Sequence, residues 1–155
     1  MIYSNIAALI PFYDTNGQNS TEVLLKDGSK EYVPFNIRTY ISRMLYTLHL
    51  DPKALKHWTY EITGQKLNTP VVIDEHLIFI PVKLRKSIGK QDGSFGYVNI
   101  LALTSIDDYQ LTLTNNLTLT TLSTKSYITR KQTTAKLLSY SYVAYKKQYE
   151  FMWKQ

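Results

Sequence analysis

The stretch "TPVVIDEHLIFIPV", residues 69 to 82, holds two runs made almost wholly of Val, Ile, Leu and Phe, parted by Asp74-Glu75-His76. Such runs suit strands of a sheet that is buried on two faces or covered by a helix, with the acidic triplet as the turn of a hairpin. The fold therefore has to supply a covering layer, and the flanking sequence contains the elements for one.

Upstream, "SNIAALIPFY" reads as a first strand and "NSTEVLLKDGSKEYVPF" as two more around Asp27-Gly28, a strong hairpin signal. Asn36 can cap a helix over "IRTYISRMLYTLHL", in which Ile37, Tyr40, Ile41, Met44, Leu45 and Leu48 recur at helical spacing. Asp51-Pro52 has the form of the cap and first residue of a second helix running to about Trp58. "TYEITG" alternates like a strand that ends at Gly64. Downstream, "FGYVNILALTSI" reads as one strand, and "YQLTLTNNLTLTTL" as a hairpin turning at Asn115-Asn116 with leucines inside and threonines outside. The terminal "SYITRKQTTAKLLSYSYVAYKKQYEFMW" places Leu137, Leu138, Tyr142, Tyr145, Tyr149 and Met152 on the apolar side of a long helix with a basic face. The expected fold class is α+β: a mostly antiparallel sheet or partly open barrel, a helix pair near 36–58 and a long C-terminal helix, in one domain over 1–155.

No cysteine is present, which removes disulfides and thiolate metal sites. No run approaches the length of a membrane span, and the start lacks the features of a signal peptide, so a cytoplasmic protein without a membrane partner is expected. The three histidines lie in separate segments, and no Gly-rich phosphate loop or nucleophile elbow occurs. Neither a metal, a cofactor nor an enzymatic activity is expected.

The charge is distributed unevenly. Residues 1–82 hold seven Lys/Arg against eight Asp/Glu, whereas residues 83–155 hold eleven against four. A basic half of this kind points to a polyanionic partner. The positive part opens with "KLRKSIGK", which carries Lys83, Arg85, Lys86 and Lys90, and continues in the terminal helix with Arg130, Lys131 and Lys136. Flexible cationic side chains can follow a phosphate backbone, and arginine suits the negative potential of a narrow A·T-rich minor groove. The thirteen tyrosines can stack on bases or bond phosphates, but those on the terminal helix read better as core or subunit packing.

Thr59-Tyr60-Glu61-Ile62-Thr63, then Pro70-Val71-Val72-Ile73-Asp74, then Ile78-Phe79-Ile80-Pro81 ahead of a Ser-containing basic loop follow one another in an order and spacing that resembles the ComK family of competence transcription factors. The likeness extends through "SIDDYQLTLTNNLTLTTLSTKSYITRKQTTAKLL" and covers most of the chain, from about Asn5 to Leu138. Where the family usually has Phe-Pro-Thr, this chain has Ile80-Pro81-Val82; where it usually has Cys-x-Trp, this chain has Phe95-Gly96-Tyr97. The resemblance implies a homo-oligomeric transcriptional activator that binds double-stranded, A/T-rich promoter boxes largely through the minor groove and switches on DNA-uptake genes. It also implies control by a Clp protease adaptor, for which Phe151-Met152 is the matching segment. Two alternatives follow from the residues themselves. One is a winged-helix module that reads DNA with the helix pair through Arg43, Lys53 and Lys56; the other is a protein-interaction regulator without DNA binding.

Overall fold

The computed structural model describes residues 2–89 and 93–154. Its centre is a six-stranded antiparallel sheet built from two three-stranded meanders. The first comprises β1 (Ile6–Tyr13), β2 (Asn19–Leu25) and β3 (Lys30–Val33), and the second β4 (Val71–Asp74), β5 (Leu77–Lys83) and β6 (Phe95–Asn99). The meanders meet where β1 pairs with β6, giving the order β3-β2-β1-β6-β5-β4. The chain therefore leaves the sheet at one edge and re-enters at the other. The helix pair α1 (Ile37–Thr47) and α2 (Pro52–Thr63) makes that crossing. Both edges remain open, so the architecture is α+β with an open sheet and no closed barrel.

Local chemistry accounts for the turns and caps. Asp27 accepts from the Ser29 N–H and hydroxyl while Gly28 adopts φ 92°, a conformation that glycine takes without steric cost. Asn36 accepts from the Thr39 N–H at α1, and Asp51 from the Lys53 N–H at α2, each satisfying an amide that the first helical turn leaves unpaired. The Asp74-Glu75-His76 turn closes with the His76 N–H donating to the Asp74 carboxylate at 2.7 Å.

Two expected strands are corrected. "TYEITG" is not a strand: residues 59–63 continue α2, which stops at Gly64 with φ 70° and a Gly64 N–H bond to the Tyr60 carbonyl. Leu55, Trp58 and Ile62 lie on the buried side at helical spacing, and the Thr59 and Thr63 hydroxyls donate to carbonyls four residues back. Those bonds seat β-branched residues in a helix despite their strand preference. "FGYVNILALTSI" is two strands, β6 and β7 (Leu103–Asp107), separated by a helical turn. The buried Asn99 makes the break: its side-chain amide donates to the Ile6 carbonyl at 3.0 Å and its oxygen accepts from the Leu101 N–H at 3.1 Å. The chain then moves to a second antiparallel sheet of β7, β8 (Gln110–Leu113) and β9 (Thr118–Thr120).

The hairpin from β8 to β9 turns where expected, with Asn115 and Asn116 at φ 61° and 58°, and the Asn115 side chain donates to the Lys26 carbonyl at 2.7 Å. Of its leucines, Leu111 and Leu113 are buried while Leu117 and Leu119 are partly covered.

The covering layer anticipated for the apolar hairpin lies on both faces. Ile37, Tyr40, Met44 and Leu45 of α1 pack against Leu9, Val23, Leu77 and Phe79. On the opposite face Ile78, Ile80, Val82 and Val98 meet Leu111 and Leu113 of the second sheet and Ile128, Ala135 and Leu138 of α3 (Lys125–Lys154). Helix α2 straddles the β4 side, with Leu55 packed toward the α1 layer and Trp58 and Ile62 toward the α3 layer. Among the described residues no helix is long and apolar enough to cross a membrane.

Candidate nucleic-acid interface

The basic loop after β5 begins under constraint. The Lys83 N–H donates to the Ser123 hydroxyl at 3.2 Å, and the Lys83 carbonyl accepts from the Leu122 N–H at 2.8 Å. Those two bonds join the loop to the segment that leads into α3. Helix α3 then starts with the Lys125 N–H bonded to the Asp108 carboxylate at 2.7 Å, a negative charge favourable at a helix N-terminus. The start of the loop and the approach to α3 are thus neighbours.

Within the loop the cations divide by role. Lys83 and Lys86 are exposed. Arg85 is turned into the molecule: its Nε donates to the Gly93 carbonyl at 2.9 Å, one terminal nitrogen donates to the Asn19 side-chain oxygen at 2.6 Å, and its guanidinium lies 4.2 Å from the centre of the Tyr13 ring. Its other terminal nitrogen is buried and finds no partner among the described residues. The Tyr13 hydroxyl also accepts from the Ile88 N–H at 2.9 Å, so this part of the loop is pinned onto the end of the β1–β2 hairpin. Lys90 lies outside the described residues.

On α3 the same division recurs. Arg130 and Lys136 are exposed. Lys131 donates to the Asn68 carbonyl at 2.6 Å and lies 5.5 Å from the Tyr127 ring; burial, with the Arg130 charge beside it, lowers its pKa. Lys131 therefore tethers the segment between α2 and β4. Lys136 follows five residues later, about 140° further round a helix of 3.6 residues per turn, and so does not share that contact. Toward the C-terminus Lys147 is exposed, while Lys146 pairs with Glu75 at 3.6 Å. Arg130, Thr133, Lys136, Tyr140 and Lys147 follow one another along the side of α3 turned away from Ile128, Ala135 and Leu138. Between Arg130 and Lys147 that outward stripe contains no carboxylate, and the exposed Glu150 lies one turn beyond Lys147.

The apolar side expected for α3 is only partly covered. Leu138 is buried and Tyr142 half-buried, but Tyr145, Tyr149 and Met152 are exposed, because the helix continues past the sheet that covers its first half, and Leu137 is exposed because it lies about 100° round from Leu138, on the outward side. The backbone of Phe151-Met152 is helical, with the Met152 side chain exposed and that of Phe151 outside the described residues.

A second cationic feature was not singled out by sequence. Arg38 on α1, Lys56 on α2 and Lys66 in the following segment line one cleft on the α1 face of the sheet. Of the helix-pair residues considered as DNA readers, only Lys56 lines it; Arg43 instead stacks on Phe35 at 4.3 Å, and Lys53 sits exposed in the first turn of α2. No local spacing marks the Arg38–Lys56–Lys66 set, since a helix, a turn and a second helix separate its members.

In comparison with known proteins, no family model matches the chain, and neither a curated protein nor a solved structure does.

Proposed function

We propose that this protein binds double-stranded, A/T-rich DNA as a transcriptional activator of the ComK kind, working in the cytoplasm as a homo-oligomer. One observation carries the DNA reading. Helix α3 holds seven of the 18 Lys/Arg and one of the 12 Asp/Glu, so the rest of the chain has eleven of each and is neutral. The net charge of +6 resides on one helix, and between Arg130 and Lys147 its exposed stripe has no carboxylate; the helix's one carboxylate, Glu150, lies a turn beyond Lys147.

The mechanism follows from spacing and charge. Arg130 and Lys147 are seventeen residues apart, about 25 Å along a helix that rises 1.5 Å per residue, which is enough for the stripe to span a major groove about 12 Å wide and reach phosphates on both sides. Thr133 and Tyr140 add hydroxyls that can bond phosphate oxygens. Lys83, tied through its backbone to the segment that leads into α3, and the exposed Lys86 of the following loop extend the contact. Binding of this kind releases condensed counterions and is steeply salt-dependent. Preference for A/T-rich sequence would come from groove width and deformability more than from base-edge bonds. The ComK resemblance supplies the A/T-box and activator parts of the proposal.

The test is fluorescence anisotropy with an A/T-box duplex and its G/C-substituted counterpart across a salt series. The wild type is expected to favour the A/T duplex. The triple variant Arg130→Ala/Lys136→Ala/Lys147→Ala should bind more weakly, with a salt slope shallower by about 0.9 per lost phosphate contact. Equal binding by wild type and variant, or binding that does not change with salt, would overturn the assignment and favour a protein-interaction regulator.

A further inference from the structure

The cleft between α1, α2 and the segment 64–70 is walled by parts that are tied in place. Arg85 bonds two wall residues, Asn19 and Gly93, and Lys131 bonds the carbonyl of a third, Asn68. The cleft is partly open to solvent and has a volume of about 550 Å³. Small-molecule sites typically occupy about 300–1,000 Å³ and combine an apolar floor with a few convergent polar groups. A duplex is far too large to enter.

The lining is chemically divided. Ile41, Leu55, Phe95 and Tyr97 form apolar floor, while Arg38, Lys56 and Lys66 bring three cations from three separate segments. Among the described residues no carboxylate lines the cleft. Three like charges around a partly apolar cleft raise the positive potential there, and that potential falls when an anion enters. Both Arg38 and Tyr97 line the cleft, and the Arg38 charge opposes the rise that burial gives the Tyr97 hydroxyl pKa. The Lys66 ammonium lies 5.0 Å from the ring of Tyr60, a residue outside the lining.

We infer that this cleft binds a small phosphorylated ligand with a flat aromatic body, of the nucleoside monophosphate class. A phosphate offers several oxygens to cations converging from different sides, and the guanidinium fork of arginine matches it in a bidentate fashion. The rings of Phe95 and Tyr97 and the side-chain amides of Asn19 and Asn68 suit a base, which has an apolar face and a hydrogen-bonding edge. The site shares no residue with the α3 stripe. It therefore stands or falls independently of DNA binding.

Titration calorimetry of the full chain with adenosine monophosphate, inorganic phosphate and an octathymidylate strand tests the inference, using wild type, Arg38→Ala, Lys66→Ala and, as a control outside both the cleft and the α3 stripe, Lys30→Ala. Arg38 and Lys66 are exposed on the rim, and melting curves verify that the variants are folded. The expected result is one-site binding of the monophosphate, tenfold or more weaker in Arg38→Ala and Lys66→Ala and unchanged in Lys30→Ala, with inorganic phosphate binding more weakly. Absence of monophosphate binding at millimolar concentration overturns the inference, as does binding that ignores Arg38 and Lys66. Equal affinity for phosphate and nucleotide would remove the aromatic floor from the site and overturn it too. Tighter, Lys66-dependent binding of octathymidylate would assign the cleft to a nucleic-acid strand instead.

Discussion

Arg85 donates to the Asn19 side-chain oxygen at 2.6 Å across 66 residues of chain, with its guanidinium stacked 4.2 Å from the Tyr13 ring centre. A cation in a basic, Ser- and Gly-containing loop thereby acts as an anchor between the loop and the β1–β2 hairpin.

Replacing Arg85 and Lys86 separately distinguishes anchor from contact. Arg85→Ala loses the bonds to Asn19 and Gly93 and the packing on Tyr13, and should cost about 1.5–3 kcal/mol, the range for hydrogen bonds from a charged group. Lys86 is exposed, and Lys86→Ala should stay within about 0.5 kcal/mol of wild type. Urea midpoints measure both. An Arg85→Ala protein as stable as wild type but weaker on DNA would return Arg85 to the phosphate-binding set.

Adjacent leucines on α3 should behave oppositely. Leu138 is 0% exposed and Leu137 50% exposed. Leu138→Ala leaves a cavity beside Ile80 and Ala135 in the α3-side core and should destabilise by about 2–5 kcal/mol. Leu137→Ala should change stability by less than about 0.5 kcal/mol unless a partner covers that face. A concentration-dependent loss in Leu137→Ala would reveal such a partner.

Gly96 is required by close approach. A Cβ there would press on the Leu9 carbonyl and the Leu84 side chain, and the carbonyl belongs to a paired strand that cannot move aside. Gly96→Ala should therefore cost at least about 1–3 kcal/mol, as overpacking does. At Gly93 a Cβ meets nothing within 4 Å, so Gly93→Ala should be neutral or stabilising by up to about 1 kcal/mol. Similar melting temperatures for the two variants would contradict this.

Tyrosine burial sets the alkaline limit. Desolvation, ahead of the nearby Tyr3 and Glu31, pushes the Tyr40 hydroxyl up from 10.0 to about 12. Below the unfolded value both states keep the proton and the full stability is present; as pH rises toward the folded value the unfolded chain alone ionises, and stability is lost. Tyr97 and Tyr127 are raised in the same direction, each chiefly by burial. Urea midpoints between about pH 10 and about pH 12 should fall in the wild type and fall less steeply in Tyr40→Phe. An identical slope in the variant would show that Tyr40 does not contribute.

The features that sequence foretold are those decided within a few residues. Asp27-Gly28 and Asn115-Asn116 turn because their own backbones reach positive φ, and Asn36 and Asp51 cap helices because their side chains reach amides two or three residues ahead. "TYEITG" misled because five residues satisfy period 2 and period 3.6 together; burial of Trp58 and Ile62 between α2 and the α3 layer selects the helix. Asn99 broke an apparent strand through a bond to Ile6, 93 residues away, which no local pattern announces.

For the candidate surfaces the boundary is the same. Sequence by itself determined that the positive charge lies in the second half of the chain and that a long helix carries most of it. Only tertiary structure decided which cations face outward: Arg85 and Lys131 find carbonyl and amide partners inside the molecule, whereas Arg130, Lys136 and Lys147 lie on the side of α3 away from the core. It also brought Arg38, Lys56 and Lys66 to one cleft. The physical reason is that a side chain's charge is intrinsic to it, while its exposure and neighbours are set by which distant surfaces the folded chain buries together.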